Sequence, residues 1–320
     1  MEKIIFLDKP IFSEDEVDQA RNEKKKELIP KIEEFVSHHA LFKDIEVTIS
    51  FAKEGKSSLV SIIETEEGKY VLKMTLTDLP EKEGAFLNVW EEDGVSVPHV
   101  IEEGVLGKNL YILMSFVNAD TLSNTYSGEE MVSRRLFVEL GSALSKMHTR
   151  NVRDEDLAHD GHPGRAQFPK FATSRLAYIK EHSILNDKEH GSIERAIEII
   201  KQYMATDDRR TYCHNDLAPY NAFATDPVTI FDPSPAFNHP YMDLGMTMVL
   251  SASMYDSEDI VPQLIEGYFA DKTIDPQVIH AFVVFNSHRR IPRWHMTNRL
   301  ERIFRMQKYL KNNKGLMDLS

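Results

Sequence analysis

Cysteine is almost missing from this chain. The single thiol, Cys213, excludes an internal disulfide and any zinc site built from several cysteines. Long apolar runs are missing as well, and no uncharged stretch approaches the length needed to span a bilayer. The opening "MEKIIFLDKP" meets Glu2, Asp8 and Pro10 too early for a secretory leader, so a reduced cytoplasm is the expected home. There is no excess of positive charge: the formal net charge is −13, which argues against a general nucleic-acid surface. Glycine and proline, 14 of each, are too sparse for a disordered or low-complexity chain. What is present is a 42% hydrophobic, 28% charged sequence of 320 residues, enough for two lobes with separate cores.

The texture changes along the chain. Residues 13 to 39 read as helix, with Ser13 and Glu16 as a capping box and Pro30 restarting a run with Ile32, Phe35 and Val36 on one face. Three β-branched segments follow, "IEVTISFA", "SLVSIIET" and "KYVLKMTL", separated by Gly55 and "EEGK". They predict a three-stranded antiparallel meander. "EKEGAFLNVW" returns to helical spacing, and "GVSVPHVIEEG" and "NLYILMSFV" add two strands. Beyond residue 118 the apolar positions recur at three and four, as in Val132, Leu136, Leu140, Leu144 and Met147. The expected fold is α+β and bilobal: a helical extension over 1–44, a small sheet with one helix over 45–117, and a larger, mainly helical lobe over 118–320.

One short stretch breaks the helical pattern. "TYCHNDLAPYNAF", residues 211–223, places His214, Asp216 and Asn221 within eight residues. Their spacing matches the kinase catalytic loop, H-R-D-x-x-x-x-N. There the aspartate must reach an attacking hydroxyl, and the asparagine must point back at a magnesium ion. A hydrogen-bonded polar turn is the plain alternative. Asp232, eleven residues beyond Asn221 in "VTIFDPSP", supplies a second acid where such a loop needs one. A hairpin with Asn221 on one arm and Asp232 on the other offers the few hard oxygen ligands that Mg2+ prefers.

The same template asks for a strand lysine and a helix glutamate upstream. Lys73 ends "KYVLK" and Glu83 opens "EGAFLNVW", with Glu81, two residues earlier, a close rival. As a pair they would hold the lysine on ATP phosphates. Between the first two strands, "KEGKSSLV" offers Gly55, Ser57, Ser58 and backbone amides to a phosphate, without a G-x-G-x-x-G signature.

These landmarks together resemble the aminoglycoside phosphotransferase and choline kinase group of protein-kinase-like small-molecule kinases. "EGKSSLV", "YVLKM", "EGAFLNVW", "GVSVPHV", "LYILMSFV", "ALSKMH", "CHNDLAPYN", "IFDPSP" and "YMDLG" follow the family order across roughly residues 45 to 250. The resemblance implies a protein-kinase-like fold, ATP and Mg2+ as cofactors, and a small-molecule hydroxyl as acceptor. It makes Asp216 the catalytic base or the group that orients the hydroxyl, Asn221 and Asp232 the metal ligands, and Lys73 with Glu83 the phosphate clamp. Met114, Ser115, Phe116 and Val117 become the hinge facing adenine. His214 becomes an internal brace, and Asp243 in "YMDLG" supports the loop from a helix start. After Asp232 this chain has Pro233 and Ser234 in place of the family's usual aromatic-acidic pair.

Two other enzyme readings stand beside this one. A protein kinase would share the core, but ten residues between Asp232 and Asp243 leave little room for a peptide-binding segment, and no A-P-E occurs. A metal-dependent phosphohydrolase could use His148, His159, Asp160 and His162. For the acceptor, Asp154, Glu155, Asp156 and Asp160 could line a cationic subsite suited to an aminoglycoside or amino alcohol, or form an exposed acidic loop. "HRRIPRW", residues 288–294, could hold an anionic group or be a surface around Trp294.

Overall fold

A computed structural model describes residues 4–10, 19–52, 58–76, 82–125, 130–152, 168–182, 187–255, 259–270 and 275–312. The chain divides into two compact units, one of residues 1–91 and 97–118, the other of 92–96 and 119–320.

The first unit is built on a six-stranded sheet. Its strands are β1 (Ile4–Phe6), β2 (Val47–Phe51), β3 (Ser58–Thr65), β4 (Gly68–Thr75), β5 (Val100–Leu106) and β6 (Asn109–Ser115), in the order β1-β2-β3-β4-β6-β5. The meander β2-β3-β4 is antiparallel, as the β-branched segments predict. β1 was not expected. Ile4, Ile5 and Phe6 pair in parallel with Val47, Thr48 and Ile49. Three residues are too few to display an alternation, so only the partner strand defines them.

Helix α1 (Gln19–His38) lays Leu28, Ile32, Phe35 and Val36 on a core with Val47, Ile49, Ile63, Leu72, Met74 and Leu113. Pro30 does not restart this helix but lies inside it. A proline in a helix interior costs about 3 kcal/mol or more. Apolar anchors buried on both sides of it offset that cost, because they keep one face on the sheet. Ser13 and Glu16, the expected capping box, lie outside the described residues. Helix α2 (Glu83–Glu92) buries Phe86, Leu87 and Trp90.

The second unit is mainly helical. Its helices are α3 (Leu122–Thr125), α4 (Glu130–Met147), α5 (Phe168–Glu181), α6 (Asp187–Thr206), α7 (Pro240–Met254), α8 (Ile260–Phe269), α9 (Pro276–Met296) and α10 (Leu300–Asn312). Helix α4 buries Leu136, Leu140, Leu144 and Met147 at the predicted spacing. It lies so close to α8 that a Cβ on Gly141 would strike the Leu264 carbonyl, and one on Gly267 the Val138 carbonyl. Only glycine permits that approach from both sides. Helix α9 is buried along most of its length, from Val278 to Trp294. Four short strands interrupt the helices: β7 (Thr211–Cys213) pairs with β10 (Ala236–Asn238), and β8 (Ala222–Phe223) with β9 (Thr229–Ile230). Among the described residues, no helix is long and apolar enough to cross a membrane.

Candidate active site

In the first unit, Lys73 lies in the buried second half of β4, where it pairs across the sheet with Val60 and Ile112. Glu83 is the first residue of α2, where the helix dipole favours a carboxylate. The two meet at 2.5 Å between Nζ and Oε2, with side chains only 7% and 2% exposed. Two charges so far from water are tolerable only as a pair. Ser58 is buried at the start of β3. Ser57 and the rival Glu81 lie outside the described residues.

Met114 and Ser115 close β6, with Met114 buried. The Ser115 amide donates to the His99 carbonyl at 2.9 Å, and its hydroxyl accepts from the His99 amide at 2.9 Å. Phe116 follows, its amide 3.4 Å from the Lys69 carbonyl and its ring 5.9 Å from the Lys69 ammonium. Val117 comes next and is half-buried.

In the second unit the loop from β7 to β10 is held from below by one carboxylate. Asp243 sits in the first turn of α7, capped by His239, and is almost fully buried. Its Oδ2 accepts from the His214 amide and its Oδ1 from the Asn215 amide, both at 2.7 Å. His148 Nε2 lies 3.1 Å from Oδ2, while His148 Nδ1 reaches the Tyr268 hydroxyl at 2.8 Å. Burial by itself would raise the Asp243 pKa; the His148 hydrogen bond and charge outweigh it and leave it lowered. With that support Asn215 adopts φ +61°, a left-handed conformation that asparagine tolerates better than most residues. The loop's turn therefore rests on a buried anion.

His214 is fully buried. Its Nε2 lies 3.0 Å from the Phe231 carbonyl, which makes that nitrogen the donor, and its Nδ1 faces the Asp216 amide at 3.4 Å. Burial holds the ring's pKa down, so it stays neutral and keeps that tautomer. The His214 carbonyl accepts from the Ser234 amide at 2.9 Å. One histidine thus joins the Asp216 segment to both flanks of Asp232.

Asn221 makes the second tie. Pro219 opens a single 3-10 turn through Asn221, after which the chain enters β8. The Asn221 Nδ2 donates to the Asp216 carbonyl at 3.0 Å and reaches the Asp232 carbonyl at 3.5 Å. With its nitrogen so engaged, the amide oxygen is the atom left to serve as a ligand. Across the β8-β9 hairpin the Phe231 amide donates to the Asn221 carbonyl at 3.1 Å. Asp232 then takes φ +55°. Non-glycine residues in that region cost of order 1–3 kcal/mol and gather where the surrounding structure fixes them.

The remaining acid, Asp216, is met by a residue that the sequence did not assign. The Arg290 guanidinium of α9 pairs with Asp216 Oδ1. Its Nε lies 3.1 Å from Met246 Sδ, and the neighbouring Arg289 donates to Asn215 Oδ1 at 3.3 Å. Seventy-four positions separate Arg290 from Asp216, so no local spacing signals the pair.

His148, Cys213 and Asp243 bring ligand atoms within 4.8 Å of one another. As a metal site the group is already spent: both Asp243 oxygens hold loop amides and both His148 nitrogens have partners. Burial also pushes the Cys213 thiol well up, so it is neither a ready ligand nor a nucleophile. His148 therefore does not serve a hydrolytic metal in the way the phosphohydrolase reading required. His159, Asp160 and His162, with Asp154, Glu155 and Asp156, lie outside the described residues.

Three solved structures share this fold at only 14–15% sequence identity. The spectinomycin phosphotransferase APH(9)-Ia, solved with ADP and spectinomycin, superposes with a TM-score of 0.59 at 14% identity, covering 87% of this chain and 93% of its own. A choline/ethanolamine kinase family protein from Mesorhizobium loti gives 0.61 at 15% identity, covering 91% and 95%. The macrolide 2'-phosphotransferase MphH from Brachybacterium faecium gives 0.60 at 15%, covering 88% and 96%. No curated protein is matched by sequence. The fold is thus the kinase-like α+β fold that the motif order implied. A family model described as the phosphotransferase enzyme family matches residues 48–282. That span takes in Lys73 and Glu83 as well as the whole loop network, and it shows that the chain belongs to the phosphotransferase enzyme family.

Proposed function

We propose that this enzyme transfers the γ-phosphoryl group of ATP to a hydroxyl of a small molecule, with Mg2+ as the metal. The observation that carries this reading is the bonding of Asn221 to the backbones of both Asp216 and Asp232. It sets one amide and two carboxylates into a single local framework. Asn221 and Asp232 would hold the magnesium, which suits few protein oxygens and several waters. When bound, the ion neutralises phosphate charge.

The roles follow from chemistry. Asp216 orients the acceptor hydroxyl and takes its proton as the oxygen bonds to the γ-phosphorus. The bond from that phosphorus to the β,γ-bridging oxygen breaks, and the electron pair leaves with ADP. Lys73, fixed by Glu83, neutralises the α- and β-phosphates. Met114, Ser115, Phe116 and Val117 are assigned to the adenine, and Ser57 and Ser58 to phosphate oxygens. Asp243 and His214 hold the loop rather than touch substrate. Most of the acceleration would come from positioning and charge neutralisation.

Only ten residues separate Asp232 from Asp243, and they are used by β10 and the His239 cap. That leaves no segment to bind a peptide, which favours a small acceptor. Spectinomycin and choline or ethanolamine, the compounds named for fold relatives, are natural first acceptors to test. The decisive variant is Asp216→Ala. Its ADP release under Mg·ATP and acceptor is expected to fall on the order of 10²–10⁴-fold while ADP affinity, read by calorimetry, stays near wild type. Undiminished turnover in that variant would remove the assignment.

A further inference from the structure

The end of the chain that supplies the partner of Asp216 carries more positive charge than its own carboxylates answer. Residues 289–305 contain six arginines and a single glutamate, in a chain of net charge −13. Arg290 is engaged with Asp216, Arg289 with Asn215, and Arg305 with the Ser253 and Met254 carbonyls at the end of α7. Arg293, Arg299 and Arg302 have no ion-pair partner among the described residues.

Arg302 is the informative one, because it is half-buried. Its pKa is lowered, first by burial and then by the Arg299 charge, with Tyr220 and Glu301 opposing and Arg290 adding to the effect. A partly desolvated guanidinium beside like charges is an unfavourable arrangement unless an anion joins it.

Tyr220 lies in the same place. It belongs to the loop turn itself and packs on Ala218, Met246 and Leu250. Its phenol is within electrostatic reach of Asp216, Arg290, Arg302 and Arg293. Met246, on which Tyr220 packs, also meets the Arg290 guanidinium, and a phenol hydroxyl can donate a hydrogen bond. A hydrogen-bond donor and three guanidinium groups thus share the neighbourhood of the acid assigned to the acceptor hydroxyl.

We infer that the acceptor is an anionic alcohol, whose carboxylate or phosphate group is held by Arg290, Arg293 and Arg302 with Tyr220 while its hydroxyl meets Asp216. This rests on the phosphotransferase reading above and names the substrate class for it. It departs from the cationic acceptors, aminoglycosides and amino alcohols, that the resemblance suggested. The guanidinium fork suits either oxyanion. Arg290 neutralises Asp216 when no acceptor is present. An incoming anion draws that guanidinium to itself and leaves the carboxylate to the hydroxyl.

The test uses one scaffold with its charge varied: glycerate, glycerol phosphate, glycerol and aminopropanediol, each titrated by calorimetry into the full chain. Charge-assisted hydrogen bonds should make one of the two anionic compounds bind at least about tenfold more tightly than the neutral and ammonium ones. Whether glycerate or glycerol phosphate is the tighter separates a carboxylate from a phosphate site. In Arg302→Gln, and separately in the exposed Arg293→Gln, the preference should shrink severalfold. ADP release under Mg·ATP is followed in parallel, with the better anion lowering its KM requirement in wild type and not in Arg302→Gln. Equal or tighter binding of glycerol or aminopropanediol, no binding of any of the four, or a preference that survives both substitutions would overturn the inference. Failure of the underlying reading looks different: anion preference intact in calorimetry, with no ATP turnover under any acceptor.

Discussion

The two units bury carboxylates in opposite ways. In the first, Glu83 is answered by Lys73, ten positions away, one on a strand and the other at the start of the next helix. In the second, Asp243 is answered by two backbone amides and by His148, 95 positions earlier in the chain. Asp216, the acid left partly exposed, is answered by Arg290 from a helix near the end of the chain. A local pair supplies a fixed charge. A network assembled from distant segments supplies a loop geometry, and it lasts only while the surrounding helices stay packed.

Acid should separate the units most strongly. His239, His280 and His288 all lie in the second unit, and burial holds them down to about 4, about 3 and about 4. Their folded forms are neutral and their unfolded forms take up protons below about 6.5, so the unfolded state binds more protons in that window. Their contribution to stability is complete above about 6.5 and is lost as pH falls toward 4. The lowered Asp243 pKa works in the same direction at lower pH still. Hydrogen exchange at pH 5 should show helices α7 and α9 losing protection before strands β2 to β4. Equal loss in both units would break the comparison.

Removing the network's anchor comes next. Asp243→Ala leaves two buried amides and His148 without their acceptor, at a cost of about 3–5 kcal/mol. ADP release should fall with it. Asp243→Asn keeps one oxygen and should recover part of the thermal stability, measured by calorimetric melting, without full activity. Full activity in Asp243→Ala would mean that the loop holds its own shape.

The local pair should respond more simply. Lys73→Met alone removes the ammonium that faces the Glu83 carboxylate and should cost about 3–5 kcal/mol, whereas Lys73→Met with Glu83→Leu should return much of that stability, because apolar groups fill the space as well. Activity should stay lost in both. A double variant as unstable as the single one would show that the pair is tied into more than itself.

Much of the fold was readable in advance because its signals are local. The β-branched meander, the helical period of α4 and the glutamate at the start of α2 each report a face that the backbone must bury. β1 escaped notice because three residues carry no period. The continuity of α1 through Pro30 escaped because propensity favours a break and only packing on the sheet overrules it. At the loop, the spacing of His214, Asp216, Asn221 and Asp232 was plain. The companions of Asp216 were not, since "HRRIPRW" read equally well as an anion site or a surface.

The sequence by itself determined which residue types stand at which intervals: a loop with an acid and an amide five apart, a second acid behind a hairpin, a strand lysine ahead of a helix glutamate. Those are properties of neighbouring residues, and short-range backbone geometry makes them legible. Only the tertiary structure decided that Asp243 bears the loop, that His148 is spent on that task, and that Arg290 faces Asp216. Charges find partners by distance in space, and packing of α7 and α9 sets those distances across intervals that no sequence period records.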